Sequence, residues 1–79
     1  MIGQYTFKTL PFNNQASFIW AEGAYLATRQ EEGHKINLYQ LNDFFAEIWY
    51  HGFQDHIFKI RTFTSKKCLE AYLESIALD

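Results

Sequence analysis

The chain has 79 residues, 48% of them hydrophobic and 20% charged, with only 4 Gly and 1 Pro, which describes one globular domain and excludes a disordered chain. A net charge of −2 and a pI near 5.8 argue against a dedicated duplex-DNA binder, which carries a concentrated positive field. The single Cys68 excludes an internal disulfide framework and a cysteine-rich zinc site, and fits a reducing cytoplasm.

The opening "MIGQYTFKTLPF" has no long apolar run, so neither a signal peptide nor a membrane span is expected there. Residues 1–10 read as an arm, in which "QYTFKTL" suits a short edge strand. Pro11 breaks any earlier helix. From Asn13 or Asn14, either a good N-cap, "NQASFIWAE" predicts a helix over about 13–22. Gly23 is placed to end it as a left-handed C-cap.

"AYLATRQ" (24–30) alternates as a strand, "EEG" is a turn, and "KINLYQL" (35–41) is the return strand. Asn42-Asp43 signals a second turn. "FFAEIWY" (44–50) also suits a helix, but turn chemistry on both sides and short length favour a strand. "HIFKIRTF" (56–63) is the fourth strand. Ser65 or Thr64 then caps a helix over about 65–77, with Leu69, Tyr72, Leu73 and Ile76 on one face. The expected fold is α+β, with two layers: a four-stranded antiparallel meander flanked by an N-terminal and a C-terminal helix, α-β-β-β-β-α.

Hairpins through "EEG", "LND" and roughly "HGFQD" place Ala24, Leu26, Thr28, Ile36, Leu38, Phe44, Ala46, Ile48, Phe58 and Ile60 on one face, under both helices. The opposite face then holds Tyr25, Arg29, Asn37, Tyr39, Leu41, Phe45, Glu47, Trp49, Lys59 and Arg61. Aromatic rings interleaved with cations are the composition of interface hot spots. The expected interaction surface is therefore Tyr25, Arg29, Tyr39, Phe45, Trp49, Lys59 and Arg61, with Trp49 an exposed anchor. Its expected partner is another protein or a second copy of this chain. Such a face also suits single-stranded nucleic acid, although the acidic balance and the central Glu47 count against that. Residues 1–10 folding over the face, or two copies packing sheet to sheet, would cover it.

The segments "WAEGAYLATR", "LYQLNDFFAEIWY" and "KIRTFTS…LEAYLESI" resemble a pattern in short uncharacterised bacterial proteins, with a strand, an Asx turn, an aromatic strand and a "YL" helix. That resemblance covers residues 20–78 and implies a cytoplasmic bacterial protein. It implies no catalytic residue.

The stretch "EIWYHGFQDH" gathers Glu47, His51, Asp55 and His56. On a helix Glu47 and His51 sit one turn apart and could share a metal with His56. On a strand they are about 13 Å apart, too far to ligate one ion. They then read as turn residues, with Glu47 pairing across the sheet to Lys59 or Arg61. Alternate tips of a meander lie at the same end, so His34 can approach His51 or His56. A metal-dependent or acid–base enzyme using His34, His51, Asp55 and His56 is therefore the alternative. Cys68 follows Lys66 and Lys67 at a helix start, where a thiol's pKa can fall, but no base is marked for it. The expected reading is a small interaction or accessory domain without catalytic residues, cofactor, metal or membrane contact.

Overall fold

A computed structural model describes residues 2–52 and 56–73. Its four strands are β1 (Ala24–Glu31), β2 (His34–Gln40), β3 (Phe45–Tyr50) and β4 (Ile57–Phe63), and they form an open antiparallel sheet in the order β1-β2-β3-β4. Two helices precede it, α1 (Gln4–Lys8) and α2 (Phe12–Glu22), and a 3-10 helix (Lys66–Tyr72) follows. The α+β antiparallel meander is thus as expected. The segment that suited either helix or strand is β3.

The arm is not an edge strand. Tyr5 and Phe7 mimic strand alternation, but one helical turn sends Phe7 into the core, where it is fully buried against Phe18 and Phe44 at ring-centroid distances of 5.9 and 5.4 Å. Pro11, not an asparagine, occupies the N-cap of α2, and the Pro11 carbonyl accepts from Gln15 N at 2.9 Å. Asn13 and Asn14 lie inside the helix. Gly23 also departs from expectation, because its backbone is extended (φ −83°, ψ 149°) rather than left-handed. Close approach demands a glycine there: a Cβ would lie 2.6 Å from the Ile19 carbonyl oxygen and 3.3 Å from Tyr39 Cβ.

Glu32 and Gly33 alone, not the expected Glu31-Glu32-Gly33, join β1 to β2 with positive φ at both positions (51° and 82°), the two-residue turn whose twist suits a hairpin, so Ile36 pairs with Arg29 and Thr28 with Asn37. Between β2 and β3 the chain turns through four residues closed by Leu41 N donating to the Phe44 carbonyl at 2.8 Å. Four residues rather than three shift the pairing by one, so Leu38 faces Glu47 and Ile36 faces Trp49. This one-residue difference carries Ile36 and Leu38 to the face expected to be aromatic and cationic, and sends Asn37 and Tyr39 to the other. Between β3 and β4 the pairing is Glu47↔Arg61 and Trp49↔Lys59, which keeps these four residues on one face as expected, although a turn through 51–55 would have set Glu47 opposite Lys59.

Both faces consequently carry apolar side chains and both are covered. On one side α1 and α2 enclose Phe7, Ile19, Leu41, Phe44, Ala46, Ile48 and Tyr50. On the other, Ala27, Leu38, Phe63 and Tyr72 form a second cluster joined by Phe45, Cys68 and Leu69. The C-terminal segment therefore lies on the face opposite α1 and α2, which corrects the two-layer arrangement. Ser65 caps it as expected, its Oγ accepting from Lys67 N at 3.2 Å. It runs as a 3-10 helix through Tyr72, and Leu73, expected on the packed face, is 52% exposed. Ile76 lies outside the described residues.

Candidate functional site: a buried carboxylate and its surroundings

Glu47 sits in the central strand β3 with its side chain wholly buried. A lone carboxylate there would be prohibitively costly, and four donors offset that cost. Tyr72 Oη donates to Oε2 at 2.5 Å, and Arg29 NH2 reaches the same oxygen at 3.3 Å. Trp49 Nε1 donates to Oε1 at 3.2 Å, and Arg61 Nε pairs with it at 3.0 Å. Each donor comes from a different place in the chain: Arg29 from β1, Trp49 from two positions along β3, Arg61 from the facing position on β4, Tyr72 from the 3-10 helix. Of the two cross-strand partners expected for Glu47, Lys59 and Arg61, the sheet register selects Arg61.

Arg29 is the second structural element of this site. Its guanidinium carbon lies 5.4 Å from the Trp49 ring centre and 5.2 Å from that of Tyr72, so two aromatic faces hold it. NH1 continues outward to Glu31 Oε2 at 2.5 Å, while Nε is buried without a partner among the described residues. Burial is the largest single influence on the Arg29 pKa and pulls it down. The hydrogen bonds to Glu31 and Tyr72 and the Glu47 charge outweigh it and hold the pKa above its ordinary value. The hydrogen bond from Arg29 lowers the Glu31 carboxyl below its usual range. Burial first, then the bond to Glu47, raises the Tyr72 phenol well above 10.

The expected interaction residues fare differently. Arg29, Phe45, Trp49, Lys59 and Arg61 share one face. Trp49, expected as an exposed anchor, is 8% exposed, with Lys59 Nζ over its ring at 4.4 Å. Arg29 is 15% exposed, and Phe45 stacks on Phe63. Tyr25 and Tyr39 form an edge-to-face pair at the far end of β1 and β2 on the opposite face, with Tyr25 57% exposed. Lys59 and Arg61 stay exposed along β4, beside Phe58. The arm does not cover this face. Tyr72 and Leu69 do, and Tyr72 is the participant that sequence reasoning missed as a polar partner.

At the hairpin tips His34 and His51 do meet, with ring centres 5.9 Å apart, because they lie opposite each other just past the paired ends of β2 and β3. Phe58, the extra residue where the β3–β4 register shifts, stacks on His51 at 4.4 Å and lies tilted against His34 at 4.7 Å. His56 instead lines a groove beside α2 with Phe12 and Trp20. Asp55 lies outside the described residues. Among the described residues no three His, Cys, Asp or Glu side chains are grouped so as to hold a metal ion. Cys68 is free and packs partly buried beside the second cluster.

Fold and site together define a small α+β domain whose open sheet is closed on both faces and pinned by one buried carboxylate. No protein-family model, curated protein or solved structure matches the chain, so the resemblance to short bacterial proteins rests on the quoted segments alone. Among the described residues no helix is long and apolar enough to cross a membrane.

Proposed function

We propose that this is a non-enzymatic protein-interaction domain that offers the β4 margin of its aromatic–cationic face to an acidic segment of a partner protein in the cytoplasm. The observation that carries this reading is the exposure of Phe58, Lys59 and Arg61 side by side on an edge strand. Arg61 directs Nε inward to Glu47 and remains 45% exposed. An open sheet edge with an aromatic ring and two cations suits an extended acidic segment, which can add backbone hydrogen bonds to charge pairing.

The closed state of the Glu47 site supports a non-catalytic role. Both carboxylate oxygens are occupied by side chains of the chain itself and no surface of Glu47 meets solvent, so no substrate atom reaches it. Affinity recovery from the native cell, comparing the protein with its Lys59→Glu and Phe58→Ser variants, tests the reading. A partner recovered by the parent, lost with either variant and released by added salt is expected. Equal recovery by all three would end the proposal.

A further inference from the structure

Zinc, copper and nickel ions take imidazole nitrogen, whereas magnesium and calcium take oxygen. The chain has three histidines, and the sheet brings two of them together. His34 opens β2 and His51 follows β3, one position beyond the Lys35↔Tyr50 pair. Strand alternation turns both side chains to the face that carries Ile36 and Trp49.

Their separation is that of two ligands on one ion. With metal–nitrogen distances of about 2.0–2.1 Å and bond angles of tetrahedral or wider, two imidazole centres stand roughly 5–6.5 Å apart. The His34 and His51 ring centres are 5.9 Å apart, and their planes meet at 59°, so neither ring stacks on the other.

Phe58 supports both rings without competing for their nitrogens. It stacks on His51 at 4.4 Å and lies tilted against His34 at 4.7 Å. A metal binds in the plane of an imidazole, at the ring edge, so a phenyl ring against the face leaves that edge open. Among the described residues neither imidazole has a hydrogen-bond partner. His51 is exposed and His34 half-buried, so water reaches the coordination positions that the protein does not fill.

The backbone sets this spacing without help from an ion. His51 N donates to the His56 carbonyl at 3.0 Å. A Cβ on Gly52 would lie 3.4 Å from the Gly33 carbonyl oxygen, so the two hairpin tips abut. Ligands carried on paired strands are positioned more sharply than ligands on loops. Glu31, opposite His34 on β1, extends the row to a third strand, where Arg29 holds its carboxylate. Its negative charge one strand away offsets the positive charge of Lys59 over Trp49.

We infer that His34 and His51 form a surface site for one divalent late first-row transition ion, Cu2+ or Zn2+, held by two imidazoles and completed by water. Two protein ligands with open water positions make a site of exchangeable binding. Phe58 also belongs to the β4 margin but neither ligand does, so the site does not rest on the proposed function.

Copper(II) chloride titrated into the untagged full chain tests it, with calorimetry for stoichiometry and electron paramagnetic resonance for the ligands. One ion per chain is expected, coupled to two imidazole nitrogens. His34→Gln and His51→Gln, each checked for folding by circular dichroism, are expected to show one coupled imidazole. Each should also weaken binding at least about tenfold, the least that loss of a residue merely supporting a ligand costs. His56→Gln, in the groove beside α2, is expected to bind as the parent does. No saturable uptake by the parent, or only one coupled imidazole in it, overturns the inference. So does full uptake by both His34→Gln and His51→Gln, or loss of a coupled imidazole in His56→Gln. Lys59→Glu is expected to lose partner capture and keep the two-imidazole signal, so failure at the β4 margin is distinguishable from failure here.

Discussion

The Tyr72 hydroxyl donates to Glu47 Oε2 across 2.5 Å and thereby joins the last described helix to the central strand of the sheet. Twenty-five residues separate the two in sequence. Around them Arg29 and Arg61 balance the buried carboxylate, and Trp49 satisfies its second oxygen. The polar node and the apolar cluster of Ala27, Leu38 and Phe63 are therefore one docking surface for the C-terminal segment.

Removing the carboxylate should be severe. Glu47→Ala leaves Arg29, 15% exposed, without its central counter-ion and empties a packed position. Breaking a buried pair from one side costs about 3–5 kcal/mol. Urea denaturation should show a loss of that order, and a loss below about 1 kcal/mol would mean that the node is dispensable.

Trp49→Ala is expected to destabilise the domain rather than merely blunt an interface. The ring is almost wholly buried, donates to Glu47, and lies against both Arg29 and Lys59. Truncating a buried tryptophan costs about 3–5 kcal/mol. A drop in the thermal midpoint with a matching drop in the urea midpoint checks this.

Alkaline pH should weaken the fold through Tyr72. Its pKa is raised by burial and by the bond to Glu47, so the folded state holds the phenolic proton after the unfolded chain has released it. The stabilisation is complete below the ordinary tyrosine value of 10 and is lost as pH rises from there toward the folded value. The slope is at most about 1.4 kcal/mol per pH unit. Tyr39, also raised by burial, contributes in the same direction. Tyr72→Phe should thus flatten the decline of the urea midpoint above pH 10 without abolishing it, after lowering stability near neutrality by about 1–3 kcal/mol.

The two well-defined glycines should respond for different reasons. Gly33 stands at φ 82° with open space around it, so Gly33→Ala meets only backbone strain, about 1–2 kcal/mol. At Gly23 the new methyl would meet the Ile19 carbonyl at 2.6 Å, and the end of α2 must shift. Paired urea midpoints should show the larger loss at Gly23.

The strands, and the common face of Glu47, Trp49, Lys59 and Arg61, were legible because apolar alternation and the Glu-Gly, Asn-Asp and Gly signals mark them directly. The β2–β3 alignment was not, since "LND" and "LNDF" turns are equally compatible with the residues. What chooses the longer turn is the burial of both Leu41 and Phe44, 3% and 2% exposed, beneath the N-terminal helices. That choice moved Ile36 and Leu38 across the sheet and so created the apolar surface on which the 3-10 helix rests. The helical arm was hidden because Tyr5 and Phe7 alternate like a strand; the gain from burying Phe7 against Phe18 and Phe44 is tertiary. Glu47, Arg29 and Arg61 were recognisable as neighbours on one face. Tyr72 was recognisable only as an apolar helix position, since nothing in its spacing reports that its hydroxyl finds a carboxylate.

The most direct test of the account is a double-mutant cycle between Glu47→Leu and Tyr72→Phe, measured by urea denaturation at neutral pH. Residues joined in one hydrogen-bond network couple by about 0.5–3 kcal/mol. Coupling above about 1 kcal/mol is expected if the Tyr72 hydroxyl holds the C-terminal segment to the sheet through Glu47. Losses that add to within about 0.5 kcal/mol would contradict it.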